Sequence, residues 1–461
     1  MSTSSAIPDR LLRYANAAKP NTTALAGAGT SLSSSIEAFI ATHPDPAVIS
    51  GVTDWGHELT AYAKRKAQID QWVHDVGVAF QSADHGNGSK SVTVDDSRLN
   101  QLVARADPAT RAALAYFRSH LGNDSLLNGD QGTQNSIVDH LRGLTPEQVD
   151  EFLAALSNHD LQQWNKAIPS SSFLWYSWGL DSSHKVQLSN LLFGSASASQ
   201  LARLERLMPA LQPNAATQEI GGPFSWRSLA GIPLFIIGPN GKPILDPLTD
   251  INQGDIGDCW VLSGLGAIAM ANPQLLASHI QSNPNGTYTV TLYQGGKPVE
   301  ITVTDTVPYN PGPNFDYPYA HDLNGNDKWT MIYEKAYAEL DNGYKNIEGG
   351  FGDISMSTLT GQPGHRTSPG QISLGQIQSM RSQGYAFTAG TNSGSPEIQD
   401  HNNIVTSHEY MIKSVDTVHQ TITLLNPWGQ QGAANQKVTL SWTDFQHYFG
   451  TVSYVKVPGA E

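Results

Sequence analysis

Gln253-Gly-Asp-Ile-Gly-Asp-Cys259-Trp260 holds the only cysteine in 461 residues and sets it at the head of an apolar run. Val261 to Ala271 is rich in Leu, Ile and Ala and closes at Asn272-Pro273, so it reads as a helix with Cys259 in its first turn. A thiol there meets unpaired backbone N–H groups and the positive end of the helix dipole, which favour the thiolate and make a better nucleophile. Gly254 and Gly257 let the chain turn sharply just before it. The competing reading is a small buried apolar residue, the usual fate of a solitary cysteine. The helix start alone leaves both open.

A nucleophilic cysteine needs a base, and the base needs a group to orient it. With 15 histidines in the chain, a histidine by itself means little. His408 stands out by its setting: it precedes Tyr410-Met-Ile-Lys-Ser-Val415, and the run Thr421-Ile-Thr-Leu-Leu425 ends in Asn426-Pro-Trp-Gly429. Paired as a hairpin around Asp416-Thr417-Val418, these runs bring positions 408 and 426 opposite one another, each nine residues from Thr417. The carboxamide oxygen then accepts the proton of one ring nitrogen and leaves the other for the thiolate. Trp428 either covers that hydrogen bond from water or is an ordinary core tryptophan.

Around these two stretches the texture from Asn214 onward is mixed. Ile232 to Ile237 reads as a strand before the turn Gly238-Pro-Asn-Gly241, and Tyr288 to Tyr293 with Val299 to Val303 read as a hairpin closed by Gly295-Gly296. Trp329 to Leu340 and Ile372 to Ser382 read as helices, and Gly349 to Gly361 as a glycine-rich loop. Before Asn214 the chain reads as helical. Residues 1 to 90 carry two apolar stripes broken at His43-Pro-Asp-Pro46 and form a helical hairpin. That hairpin loosely resembles the WXG-type hairpins that lead type VII secretion substrates, with Trp55-Gly56 near the bend. Residues 91 to 213 read as a second helical block of unknown role, in which Thr145-Pro-Glu-Gln148 is a capping signal with proline at the first helical position. The expected division is therefore 1 to 90, 91 to 213 and 214 to 461. The polar segment Gln212 to Gly222 reads as exposed and open to self-cleavage.

Composition narrows the function classes. Twenty-seven basic against 41 acidic residues give a net charge of −14, which argues against a nucleic-acid binder. No apolar window is long enough to span a bilayer. Met1 to Lys19 shows no basic region followed by an apolar core, so the expected location is the cytoplasm or outside the cell without a Sec-type signal peptide.

Taken together, the pieces from about 245 to 450 resemble the calpain-like, papain-fold cysteine peptidases. In order they are Thr249-Asp-Ile-Asn-Gln-Gly-Asp-Ile-Gly-Asp-Cys-Trp260, Asp305-Thr-Val-Pro308, Trp329 with Glu334-Lys-Ala-Tyr-Ala338, Gly349-Gly350, Leu359-Thr-Gly361, His408-Glu-Tyr410 and Asn426-Pro-Trp-Gly429. The resemblance implies an α+β fold, a two-lobed core with a helical lobe and a β-rich lobe, preceded by an all-α region. It implies an endopeptidase acting through a thioester, with Cys259 as nucleophile, His408 as base and then acid, Asn426 as orienter and Gln253 as oxyanion donor. No cofactor is required for that chemistry. It further implies a calcium site at Asp250 and Asp327. A second such site lacks carboxylates, since Gln430 to Lys437 contains none, and Glu409 stands where a small residue is common in the family. The expected substrate is a protein or peptide, and the N-terminal helices are candidates for contact with secretion machinery or a regulatory partner. Two other readings compete. One is a catalytically silent scaffold acting through its helices; the other is deamidation or acyl transfer by the same thioester.

Overall fold

One helix, α7 below, is apolar on every side and so must be buried on every side, and the lobes that carry the cleft pack around it. The computed structural model describes residues 106–460, apart from 122–129, 170, 174–175, 217–223, 310–318, 322–325, 394–403 and 430–435. The hairpin expected over residues 1 to 90 and most of Gln430 to Lys437 lie outside the described residues. Leu99–Glu461 forms one compact unit.

Its first part comprises α1 (Pro108–Leu121), α2 (Gln131–Leu141), α3 (Pro146–Ala155) and α4 (Asn158–Ala167), then an antiparallel pair of β1 (Ser171–Phe173) and β2 (Tyr176–Trp178), then α5 (Ser182–Ser195) and α6 (Ala198–Leu207). The capping signal at Thr145 is realised in both directions, its hydroxyl accepting from the Gln148 N–H and the Gln148 side chain accepting from the Thr145 N–H. Phe117, Phe152 and Trp164 meet edge to face at the centre, with centroids 4.8–6.3 Å apart. The expected all-α region is thus helical with one small hairpin inserted. Strands of three residues are too short to show an alternation of period two.

The second part opens with β3 (Ser225–Ser228), β4 (Ile236–Ile237) and β5 (Pro243–Ile244), followed by α7 (Cys259–Ala271) and α8 (Pro273–Ser278). Of the strand expected over 232 to 237, only Ile236–Ile237 pairs, with Pro243–Ile244. Strands β6 (Ile280–Ser282), β7 (Tyr288–Gln294) and β8 (Lys297–Val303) form a three-stranded sheet, and β9 (Thr306–Tyr309) pairs with β3. Helices α9 (Trp329–Leu340) and α10 (Gly352–Thr360) complete this lobe. The stretch expected to be a glycine-rich loop is therefore mostly helix α10. Its glycines punctuate the ends: Gly361, at φ 71°, closes it in the left-handed region.

The third part is a six-stranded antiparallel sheet in the order β10-β15-β11-β12-β13-β14. Its strands are β10 (His365–Thr367), β11 (Tyr385–Thr391), β12 (Glu409–Asp416), β13 (Thr421–Leu425), β14 (Lys437–Ser441) and β15 (Phe449–Lys456), flanked by α11 (Leu374–Arg381) and α12 (Trp442–Tyr448). Helices with a sheet of their own on one side and an antiparallel sheet on the other make the molecule α+β. No described helix is long and apolar enough to cross a membrane.

Every residue of α7 from Trp260 to Ala269 is buried. A Cβ at Gly264 would lie 2.2 Å from Ser355 Oγ, and one at Gly266 would lie 2.1 Å from Met411 Sδ. Glycine is therefore what lets α10 and β12 close on the helix from two sides. Ser355 Oγ donates to Trp260 O and Ser263 Oγ donates to Glu409 O, at 2.7 and 2.9 Å. These bonds fix the helix start against both lobes.

The helical part docks through α5. Lys185 Nζ donates to Glu339 Oε2 at 3.0 Å and to Gln212 O at 3.2 Å, and Ser189 Oγ donates to Glu339 Oε1. Asn190 donates to Glu300 O and accepts from the Thr302 N–H, both at 2.6 Å, engaging β8 as a neighbouring strand would. Gln212, read as exposed from sequence, is buried and donates to Thr304 Oγ1. The start of the supposed cleavage segment is thus part of a packed junction, while 217–223 lies outside the described residues.

Candidate active site

Cys259, His408, Gln253 and Trp428 line one cleft of about 1260 Å³ between the lobes, with Asn426 behind the histidine. Each arrives by a different route. Cys259 is the first residue of α7. Gln253 sits on the preceding turn, tied to the opposite lobe by its N–H donating to Pro427 O at 2.8 Å. His408 immediately precedes β12, and Asn426 immediately follows β13.

The expected hairpin is present, with a shifted register. Asp416 pairs with Thr421 and Met411 with Leu425, with a bulge between Ile412 and Ser414. The turn is therefore centred past Thr417, with Gln420 at φ 51°, and His408 and Asn426 are diagonal rather than directly opposite. Side chains still bridge a diagonal, and His408 Nε2 and Asn426 Oδ1 are 2.8 Å apart. Nδ1 remains for the sulfur. Asn426 Oδ1 also accepts from the Trp428 N–H at 3.0 Å, and the Trp428 ring lies 5.0 Å from the imidazole. That ring shields the histidine–asparagine bond from water.

Burial works against the expected activation of the thiol. Although Cys259 starts a helix and its sulfur accepts from the Glu409 and Trp260 N–H groups, burial pushes the thiol up to about 12, helped by the carboxyls of Glu409 and Asp258. Burial likewise pushes His408 down to about 4, against the bond from Asn426. Desolvation penalises both charged forms more than the dipole rewards one of them. Burial therefore favours thiol and imidazole over their charged forms.

Gln253 Nε2 donates to Ile256 O at 2.7 Å, which leaves its second N–H for an incoming oxyanion. Asp250 is otherwise engaged: it accepts from the Asp246 N–H, Thr249 Oγ1 and Trp329 Nε1. Asp327 is buried. No group of three His, Cys, Asp or Glu that could hold a metal occurs among the described residues. With Asp250 serving three donors, this donor set does not fit a calcium cage.

Sequence reading missed a carboxyl pair beside Cys259. Asp258 and Glu334 are both wholly buried; burial pushes both carboxyls up, the neighbouring Asp258 adds to the rise of Glu334, and Glu334 opposes the rise of Asp258. Glu334 Oε1 also accepts from the Ala320 N–H at 2.9 Å. The available signal was Glu334-Lys335 inside an otherwise apolar helix.

A family model described as "Calpain family cysteine protease" matches residues 245–450. The chain is 30 % identical over 250 residues to "Calpain-type cysteine protease ADL1" of Oryza sativa subsp. japonica, covering 45 % of this chain and 11 % of that protein. It is 28 % identical over 221 residues to "Calpain-8" of Mus musculus, covering 44 % and 30 %. With the mouse "Calpain-2 catalytic subunit" it shares 26 % over 252 residues, covering 48 % and 34 %. The chain thus spans about a tenth to a third of the length of these relatives.

Proposed function

Residues 245–450 are a calpain-family cysteine protease domain, and from that premise we propose that this chain is an endopeptidase cutting peptide bonds by Cys-His-Asn catalysis. The observation that carries the reading is the 2.8 Å contact between His408 Nε2 and Asn426 Oδ1 in the cleft that also holds Cys259. Cys259 Sγ attacks the carbonyl carbon while His408 Nδ1 takes its proton, which suits a pair whose charged forms burial disfavours. The oxyanion is met by the Gln253 side-chain N–H and the backbone N–H of Cys259. His408 then protonates the leaving amine, and a water deprotonated by His408 hydrolyses the thioester. A domain of this family needs no chemical cofactor for these steps.

The reading extends to organisation. Residues 214–461 are the protease part and 91–213 a separate block, a division supported by the cleft being lined by no described residue before 217. Residues 1–90 serve as a targeting or delivery module for secretion machinery or a regulatory partner, and the protein acts in the cytoplasm or outside the cell. One observation favours a second reading, a silent scaffold: the thiol pushed up to about 12 is a poor resting nucleophile. Trapping separates the two. A slowly deacylating peptide ester should leave one acyl group on Cys259 by mass spectrometry, and absence of the adduct at high ester concentration supports the scaffold.

A further inference from the structure

Among the described residues, Glu409 is the one cleft-lining acid buried in the wall, and no cation pairs with it directly. Its residue is 4 % exposed, and its carboxylate accepts from Thr388 Oγ1 at 2.6 Å and from the backbone N–H of Gly352 at the start of α10. These two neutral donors use about half of a carboxylate's roughly four acceptor positions. The nearest guanidinium, Arg366, is committed elsewhere: it pairs with Asp353 at 3.5 Å and lies 3.7 Å over the Phe351 ring. Among the described residues, no Lys, Arg or His forms an ion pair with Glu409.

The wall around the carboxylate is made of residues without bulk. A Cβ at Gly390 would lie 2.7 Å from Glu409 Oε2, and one at Gly352 would lie 2.7 Å from Oε1. Gly390, Thr451, Gly350 and Phe351 line the same cleft. Which side of the scissile bond this is follows from the chemistry. His408 must hand its proton to the leaving amine, so the leaving side lies by His408 and Trp428, and the glycine-walled side receives the acyl part of the substrate.

We infer that Glu409 is a specificity residue that selects a lysine or arginine side chain on the acyl side of the scissile bond. The inference rests on the peptidase reading above and names its substrate class. A substrate cation supplies the donors the carboxylate lacks, and neutralises a charge that otherwise opposes ionisation of Cys259. The groups facing Glu409 are Thr388 from β11, Asp353 from α10, Arg366 from β10 and Cys259 from α7; burial and Asp353 raise its carboxyl to about 7, against Thr388, Gly352 and Arg366. An acid so raised is ionised above about pH 7 and loses its charge below it. Selection should follow.

The test uses binding, so that it stands apart from turnover. The full chain carrying Cys259→Ala is titrated with fluorescent peptides that differ only by lysine or norleucine at one of three positions before the intended scissile bond, at pH 8 and pH 5.5. At one position lysine should bind about tenfold or more tightly than norleucine at pH 8. That ratio should fall towards one at pH 5.5, and likewise in the chain that also carries Glu409→Gln. Equal or tighter binding of every norleucine peptide at pH 8, a preference indifferent to both pH and Glu409→Gln, or no binding of any lysine peptide would overturn the inference. The pH comparison needs no substitution at 409, so it stands if Glu409→Gln fails to fold. Hydrolysis by the chain with Cys259 intact decides the peptidase reading independently.

Discussion

Glu339 and Glu409 are buried to nearly the same depth, 2 % and 4 % exposed, in opposite surroundings. Glu339, where α5 docks on the protease part, is met by the Lys185 ammonium and the Ser189 hydroxyl. Glu409, in the cleft, accepts from neutral donors, the Thr388 hydroxyl and the Gly352 N–H, with Arg366 acting on it only as a nearby charge. The contrast extends to their neighbours. At the junction, Asn190 engages both a carbonyl and an N–H of β8, whereas by the cleft Asn426 Nδ2 and Gln253 Oε1 are buried without a hydrogen-bond partner among the described residues. The junction has its charged groups answered, although Gln212 Oε1 there is also buried without a partner among the described residues. A cleft that acts keeps some polar groups unanswered for a substrate, at a cost in stability.

Four variants would break or sharpen that contrast. Cys259→Ala should lower kcat on a peptide substrate by on the order of 10⁴-fold or more while leaving the unfolding midpoint in place, because it removes the nucleophile and little packing. Lys185→Met should do the reverse. It strands a buried carboxylate and should cost about 3–5 kcal/mol in denaturant unfolding, with kcat per folded molecule unchanged; a loss of kcat without a loss of stability would erase the distinction. Gln253→Ala should lower kcat by about 10²–10³-fold, the usual cost of one oxyanion donor, with KM and the unfolding midpoint close to wild type.

The smallest effect, read per pH unit, belongs to Asp258→Asn. Its carboxyl is raised in the folded protein to about 7, so between the unfolded value near 4 and that point the unfolded chain gives up its proton first. Stability contributed by this group is present below the unfolded value and is lost as pH rises through the folded one. Thermal unfolding from pH 4 to 8 should therefore show a shallower decline in the variant, by up to about 1.4 kcal/mol per pH unit between those two values. An unchanged slope would mean that the carboxyl is not raised in the folded protein.

Features set by local sequence were legible, and those set by distant contacts were not. The start of α7, the capping box at Thr145 and the extent of α9 follow from residues within a few positions of each other. The hairpin of β12 and β13 was legible as a pair of strands, while its register turned on a bulge at Lys413 that no local pattern announces. Helix α10 was hidden because the glycines that bound it look like a loop. Lys185 and Glu339 lie 154 residues apart, and Asp258 and Glu334 are brought together only when α9 packs against α7. In the cleft, Cys259 and His408 could be singled out by setting, yet the burial that opposes both charged forms could not, because it comes from the completed fold.

The central claim is peptide-bond hydrolysis by Cys259. A denatured protein mixture incubated with the full chain, and separately with its Cys259→Ala form, should be analysed for new N-termini by mass spectrometry. New termini that appear with the intact chain and vanish with Cys259→Ala are the result this account predicts. Identical termini in both samples, or modified glutamine side chains with no new termini, would contradict it.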